Sequence, residues 1–290
     1  MLNSKQLEEG NFVEDGYTII RKAISPSLIH KTQKIINDSL DDLSIDLNLE
    51  INTHIENDKN FYEKIVKLIE KKTPFATLEG VWQDLIRNKI FALIFSEKKI
   101  FDLISNILGK DLCHQDNPGL TLNLPGVSDS KKNYLFKGYH QEVWSGADTH
   151  TIQFWTPIFQ SDSSGGITLI KGSHLWGHIP HRNREPIELP KNITEIHSDL
   201  EIGDVIIFHT LLLHRSSPIK LGGKPRLAIP CVVKNFRMPN NSFECYINWK
   251  IFSYSDLSKI DRRLGNHHLS PFRLLDIDNK QNFDGGIGSK

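Results

Sequence analysis

From Cys113 onward, short runs rich in Thr, Ile, Val, Phe and Trp alternate with clusters of Gly, Pro, Ser and Asp. The runs include "LTLNLPG", "THTIQFWTPIF", "GGITLIKGSH", "GDVIIFHTLLLH" and "KPRLAIPCVVKNF". Each is long enough for a strand and short for a helix, and each is bounded by turn formers. A succession of such runs folds as an antiparallel sandwich or barrel. A β core over about residues 113–240 is therefore expected. Upstream the period changes. "SPSLIHKTQKIINDSL" places Leu28, Ile29, Ile35, Ile36 and Leu40 at helical spacing, with Ser25 as N-cap and Pro26 in the first turn. "SEKKIFDLISNILGK" repeats the pattern and closes on Gly109, a C-cap residue. Residues of about 1–112 read as a helical layer and 241–290 as a C-terminal extension ending in a mobile tail, "NFDGGIGSK". Residues of about 1–240 are expected to make one mostly-β domain with helices packed on it.

Charge and cysteine content exclude several classes. Lys+Arg and Asp+Glu are both 35, so there is no basic excess to bind nucleic acid. Cys113, Cys231 and Cys245 are few and widely spaced, which argues against a disulfide scaffold or a structural zinc site and for a reducing compartment. "IFALIF" is far too short to span a membrane, and no secretory leader is evident at the start, so a cytoplasmic protein is expected.

The His-x-acid pairs in the sequence include His54/Glu56, His140/Glu142 and His197/Asp199. Two histidines and one carboxylate on one face of Fe(II) leave positions open for a co-substrate and O2. On a strand, residues i and i+2 share a face, so His-x-Glu presents both groups to one ion, and the third ligand comes from a distant strand. His54/Glu56 sits in polar sequence without β pattern. His197/Asp199 leaves little chain before the next histidines. His140/Glu142, in "YHQEVW", precedes a β run, and both His209 and His214 follow far downstream in "GDVIIFHTLLLH". On a regular strand those two face opposite sides, so one of them is the candidate.

Arg226 opens the next strand, in "KPRLAIP". If that strand pairs antiparallel with "IFHTLLLH", the arginine returns toward the metal. A buried guanidinium binds a carboxylate through two parallel hydrogen bonds, which suits the distal carboxylate of 2-oxoglutarate. Ser216, two residues after His214, is placed to add another hydrogen bond. Trp144 follows the metal motif closely and is read as a wall of the substrate pocket. His174, His178 and His181 read as surface histidines, and Ser173 as a loop hydrogen-bonder.

In order along the chain, "FVEDGYTIIRKAISPSLI", "YHQEVW", "FWTPIFQSDSSGGITLIKGSHLWG", "LEIGDVIIFHTLLLHRSSP" and "RLAIPCVV" resemble the phytanoyl-CoA dioxygenase-like Fe(II)/2-oxoglutarate oxygenases. The resemblance covers about residues 10–236. It implies a double-stranded β-helix, a cupin-like jelly roll with outer helices. It implies iron ligation by His140, Glu142 and His214, and a distal-carboxylate anchor of Arg226 and Ser216. Trp155 matches a tryptophan lining the co-substrate pocket, and Asn123 a polar co-substrate position. The chain departs from the family at Glu142, where most members carry aspartate. A retained carboxylate points to oxygenation rather than halogenation.

The activity so implied is hydroxylation of an unactivated C–H in a small-molecule metabolite, with O2 consumed and 2-oxoglutarate converted to succinate and CO2. No basic cluster near these motifs suits the phosphates of an acyl-CoA. The competing reading is a non-oxidative jelly-roll protein: an isomerase, a ligand-binding module or a degenerate oxygenase. It would need neither iron nor Arg226.

Overall fold

The computed structural model describes residues 8–46, 61, 64–68, 74–116, 119–126, 137–159, 166–223, 225–239 and 249–264. His54, Glu56, Cys245 and the tail after residue 264 lie outside them.

Thirteen strands are present among the described residues: β1 (Glu8–Glu9), β2 (Tyr17–Ile20), β3 (Leu112–Gln115), β4 (Thr121–Asn123), β5 (Thr151–Phe159), β6 (Ile167–Ile170), β7 (His181–Arg182), β8 (Glu185–Pro186), β9 (Glu195–His197), β10 (Val205–His209), β11 (His214–Ser216), β12 (Arg226–Asn235) and β13 (Trp249–Ser253). One large sheet has the order β1-β2-β10-β5-β12-β3-β13, with β4 beside β12. A small sheet has the order β11-β6-β9, and β7 and β8 form a separate hairpin. The pairings are antiparallel, as in a jelly roll, and the sheets do not close into a barrel.

Strand alternation explains the layers. Ile152, Phe154 and Ile158 of β5, Val205 and Ile207 of β10, and Leu227, Ile229, Cys231 and Val233 of β12 all point to one face. There they pack on helices Pro26–Asp46, Pro74–Arg87, Ile90–Ser96 and Lys98–Leu108. The intervening residues Trp155, Ile206, Phe208 and Ala228 point the other way and meet Ile167 and Leu169 of the small sheet. With both faces covered, β5 is buried along its whole length. Each fully buried aliphatic or aromatic side chain in these layers contributes roughly 1.5–3 kcal/mol.

Gly109 ends helix Lys98–Leu108 at φ 80°, donating to the Ser105 carbonyl, as its position in the sequence suggests. Ser25 differs from expectation. Its carbonyl accepts from Leu28 and Ile29, but its hydroxyl donates to Glu97 at the start of helix Lys98–Leu108, so it ties two helices together rather than capping its own. Strand β2 lies within the stretch read as a helical layer. The sheet also continues past residue 240, because β13 pairs with β3. Trp249 and Ile251 pack there against Cys113 and Phe236. Helix Asp256–Arg263 is then held by Asp111, which accepts from the Ser255 backbone and hydroxyl at 2.7 and 2.9 Å. No helix among the described residues is long and apolar enough to cross a membrane.

Gly166, just before β6, touches the backbone of Ser198 so closely that an added Cβ would lie 1.9 Å from the Ser198 carbonyl oxygen. Ser198 has no room to retreat, because it exchanges hydrogen bonds with Ile167 through both backbone and hydroxyl. Gly166→Ala is expected to destabilise the fold by about 3 kcal/mol. A urea denaturation midpoint measures this.

Candidate metal centre

Chain segment 137–140 runs beside β11 and widens the small sheet at its edge. The Ser216 N–H donates to the Lys137 carbonyl at 2.9 Å, and His140 and His214 exchange backbone hydrogen bonds of 2.9 and 3.1 Å. The two histidines are thus direct cross-strand neighbours, with ring centroids 4.2 Å apart. Glu142 leaves the extended path and begins a short 3-10 turn, Glu142–Ser145, which ends at Gly146 with φ 96°. The two-residue strand spacing expected for His140 and Glu142 is therefore replaced by a bend. The bend carries the carboxylate back to the rings. Glu142 Oε1 lies 3.2 Å from His214 Nε2 and 3.5 Å from His140 Nε2.

The groups fit a cation. One ligand atom from each of His140, Glu142 and His214 lies within 4.8 Å of the others. The Nδ1 of His140 is 2.8 Å from the Gly138 carbonyl, and the Nδ1 of His214 is 2.9 Å from the Leu212 carbonyl. A carbonyl only accepts, so each Nδ1 carries the proton and each Nε2 keeps its lone pair for the centre. His140 Nε2 is buried with no hydrogen-bond partner. Burial, and then the neighbouring His214, lower the His140 pKa to about 4, so the ring is neutral at pH 7. Burial alone would raise Glu142. The close approach of the His140 and His214 imidazoles and the nearby Lys137 outweigh that and hold the carboxyl well below the usual carboxylate range. Two imidazoles and one carboxylate are a donor set for Fe(II) with open positions.

Gln141, between His140 and Glu142, is fully buried. Its Nε2 donates to the carbonyls of Leu211 (2.6 Å) and Gly177 (2.9 Å), and its Oε1 accepts from the Ile179 N–H at 2.9 Å. One side chain therefore fixes the metal motif, the β10–β11 turn and the loop after β6. Gln141→Leu strands three backbone groups and is expected to cost about 3 kcal/mol of stability and to weaken Fe(II) binding by roughly 10- to 100-fold. Thermal melting and competition with a coloured chelator measure the two effects.

Arg226 reaches the same cleft by a route other than the expected one. Strand β12 does not pair with "IFHTLLLH". That stretch splits into β10, which pairs with β2 and β5, and β11, which pairs with β6 in the opposite sheet. Strand β12 pairs with β5, so Arg226 faces His140, Glu142 and His214 across their shared cleft. Its side chain is 1% exposed. One N–H donates to the Gly166 carbonyl at 2.6 Å, the guanidinium lies 4.8 Å from the Trp155 ring centre, and Nε has no partner. Among the described residues no carboxylate pairs with it. Burial pulls its pKa down to about 9, which still leaves a cation at neutral pH. A buried charge without a counter-ion is costly, and an incoming anion removes that cost.

The cleft, of about 350 Å³, is lined by His140, Glu142, His214, Arg226, Ser216 and Trp155, and also by Thr121, Lys137, Gln153, Ile167, Phe208, Arg215 and Pro230. Ser216 Oγ accepts from the Lys137 N–H at 3.2 Å. Two other sequence candidates lie outside the lining. Asn123 is buried opposite Arg226 but donates its amide to the Ser217 carbonyl at 3.3 Å. Trp144 stacks on His181 with ring centres 4.5 Å apart and packs near Ile170, Ile179 and Leu213. His209 lies outside the His140–Glu142–His214 cluster: its Nδ1 accepts from the Leu211 N–H, and its ring packs beside His174. His174 is buried rather than a surface residue, and its Nε2 lies 3.0 Å from the Val13 carbonyl. Ser173 accepts from the Leu213 N–H at 2.8 Å. Gln153 and Thr121 were not singled out in the sequence, yet each is two residues from one that was (Trp155 and Asn123). Strand alternation was the available signal.

The sequence profile described as Phytanoyl-CoA dioxygenase (PhyH) matches residues 12–228. The chain belongs to the phytanoyl-CoA dioxygenase family. Among solved structures, the non-heme monooxygenase ThoJ in its apo form superposes with a TM-score of 0.56 at 17% identity, covering 94% of this chain and 98% of that one. A ThoJ–Ni complex gives 0.51 at 16% identity, covering 94% and 97%. These likenesses establish a shared fold. Membership of the phytanoyl-CoA dioxygenase family, together with the His140–Glu142–His214 cluster, supports an Fe(II)/2-oxoglutarate-type enzyme.

Proposed function

We propose that this protein is an Fe(II)- and 2-oxoglutarate-dependent dioxygenase that hydroxylates an unactivated C–H of a small-molecule metabolite and releases succinate and CO2. The observation that carries this reading is a buried guanidinium, without a counter-ion among the described residues, sharing one cleft with a cluster of two histidines and a carboxylate. His140, Glu142 and His214 would hold Fe(II), which, when bound, supplies the redox chemistry by which O2 oxidises both the keto acid and the substrate.

The chain's own residues do the rest. Arg226 neutralises the distal carboxylate of 2-oxoglutarate, with Ser216 as a neighbouring hydroxyl. Trp155 covers the guanidinium face and keeps water from it. Ile167, Phe208 and Pro230 give the cleft apolar walls that exclude water. The backbone carbonyls of Gly138 and Leu212 keep both imidazoles in the ligating tautomer. None of these side chains needs to move a proton in the oxidation itself.

Anaerobic titration of Fe(II) and 2-oxoglutarate tests the proposal. A weak visible charge-transfer band from a chelated keto acid is expected, and succinate release is expected on admitting O2. A protein loaded with iron that gives no band is instead a non-oxidative jelly roll.

A further inference from the structure

The cleft contains a buried hydrogen-bond acceptor that neither iron nor 2-oxoglutarate satisfies. Gln153 on β5 is 5% exposed, lines the cleft, and its Oε1 is buried with no partner. Its place in the sheet is defined. Gln153 lies opposite Phe208 of β10 and Val232 of β12, whereas the start of β12 at Arg226 lies toward the other end of β5, where Leu227 pairs with Phe159. Phe208 in turn sits 4.6 Å, ring to ring, from the ligand His214. Gln153 and Arg226 therefore occupy opposite ends of the inner face, with Gln153 at the end of the metal ligands.

The metal site and the co-substrate bring no free donor to Gln153. The N–H groups of His140 and His214 are spent on the Gly138 and Leu212 carbonyls. Ionised 2-oxoglutarate has only acceptors. A bare metal ion has no proton to give. A buried acceptor left open in the empty protein is disfavoured unless a ligand completes it.

We infer that Gln153 is a substrate-binding residue, and that the substrate is a small polar molecule presenting an O–H or N–H to its amide oxygen beside the carbon that is oxidised. This rests on the function proposed above, and it names a substrate class: hydroxyl- or amine-bearing metabolites rather than plain hydrocarbon chains. The apolar walls are accounted for by the floor around Trp155, which pairs across β12 with Pro230.

Gln153→Met and Gln153→Leu keep the volume and remove the acceptor. Both are expected to melt roughly 2–4 °C higher than the wild type, because nothing in the protein is left unpaired by the change. Fe(II) and 2-oxoglutarate binding, followed by the charge-transfer band, should stay within about twofold of the wild type. A lower melting temperature in both variants would mean that Gln153 has an internal structural partner. A weakened 2-oxoglutarate titration would make it a co-substrate residue. Either result overturns the inference. In a screen of aerobic succinate release, compounds that accelerate the wild type should carry O–H or N–H groups and lose about tenfold of their effect in Gln153→Met. An accelerator lacking both groups also overturns it. Absence of the band in the wild type sinks the function itself; with that band intact, Gln153 variants that melt lower, bind 2-oxoglutarate more weakly or keep the full substrate response sink only this step.

Discussion

Arg226→Met is expected to bind 2-oxoglutarate about a hundredfold more weakly, a loss of about 3 kcal/mol, while the empty protein becomes more stable. The two effects have one cause. In the empty protein Arg226 is a fully buried cation with a single hydrogen bond and no counter-ion among the described residues. Such a charge destabilises the fold, and replacing it with a well-packed apolar side chain adds about 1–3 kcal/mol. The one bond lost leaves nothing orphaned, because the Gly166 carbonyl also accepts from the Ser217 N–H at 3.1 Å. The gain reverses when 2-oxoglutarate is present. The wild type is then stabilised by the bound anion through mass action, and the variant is not. Melting curves of both proteins with and without 2-oxoglutarate should therefore cross in order. If the variant is less stable in both conditions, Arg226 is a structural residue and the anchor lies elsewhere. Arg226→Lys should not restore binding, since a point charge offers neither the two-pronged geometry nor the stacking on Trp155.

What was legible in the sequence, and what was not, follows from the range of each interaction. The strands were legible because "TIQFWTPIF" and "RLAIPCVV" are short, β-branched and bounded by turn formers. The His140–Glu142–His214 cluster was legible because its three residue types and their order along the chain are local facts plus one long separation. The pairing that delivers Arg226 was not. Adjacent segments were expected to pair, yet β12 finds β5 and "IFHTLLLH" divides between two sheets. Nothing in "HTLLLH" marks the turn that carries the chain from one sheet to the other. Asn123 and Trp144 were plausible by position, but each side chain has a private partner: the Ser217 carbonyl and the His181 ring. Gln153 was accessible to reasoning, since Trp155 was taken to face the cleft and residue i−2 shares its face. A polar residue at such a position is the feature to look for.

Glu142 yields the sharpest test of the site's geometry. Aspartate is the commoner residue in the family that the sequence resembles, so by sequence alone Glu142→Asp is a benign or even improving change. The structure predicts the opposite. Aspartate withdraws the carboxylate by about 1.5 Å, one C–C bond. The backbone cannot follow. The Glu142 N–H is held by the Thr210 carbonyl at 3.0 Å, and the preceding Gln141 is clamped at three points. The imidazoles cannot follow either, because each Nδ1 is tied to a carbonyl two residues before it in the chain. From the 3-10 bend that begins at Glu142, the full length of the side chain brings Oε1 to 3.2 Å from His214 Nε2 and 3.5 Å from His140 Nε2, and a side chain one methylene shorter falls short of that contact. Glu142→Asp is therefore expected to weaken Fe(II) binding about tenfold, and Glu142→Ala by roughly a thousandfold through loss of the carboxylate from the cluster. Competition against a ferrous chelator under anaerobic conditions reads both. Equal affinity in Glu142→Asp would show that the bend relaxes toward a strand when the side chain shortens. Glutamate would then be interchangeable with aspartate here, rather than matched to the turn that carries it.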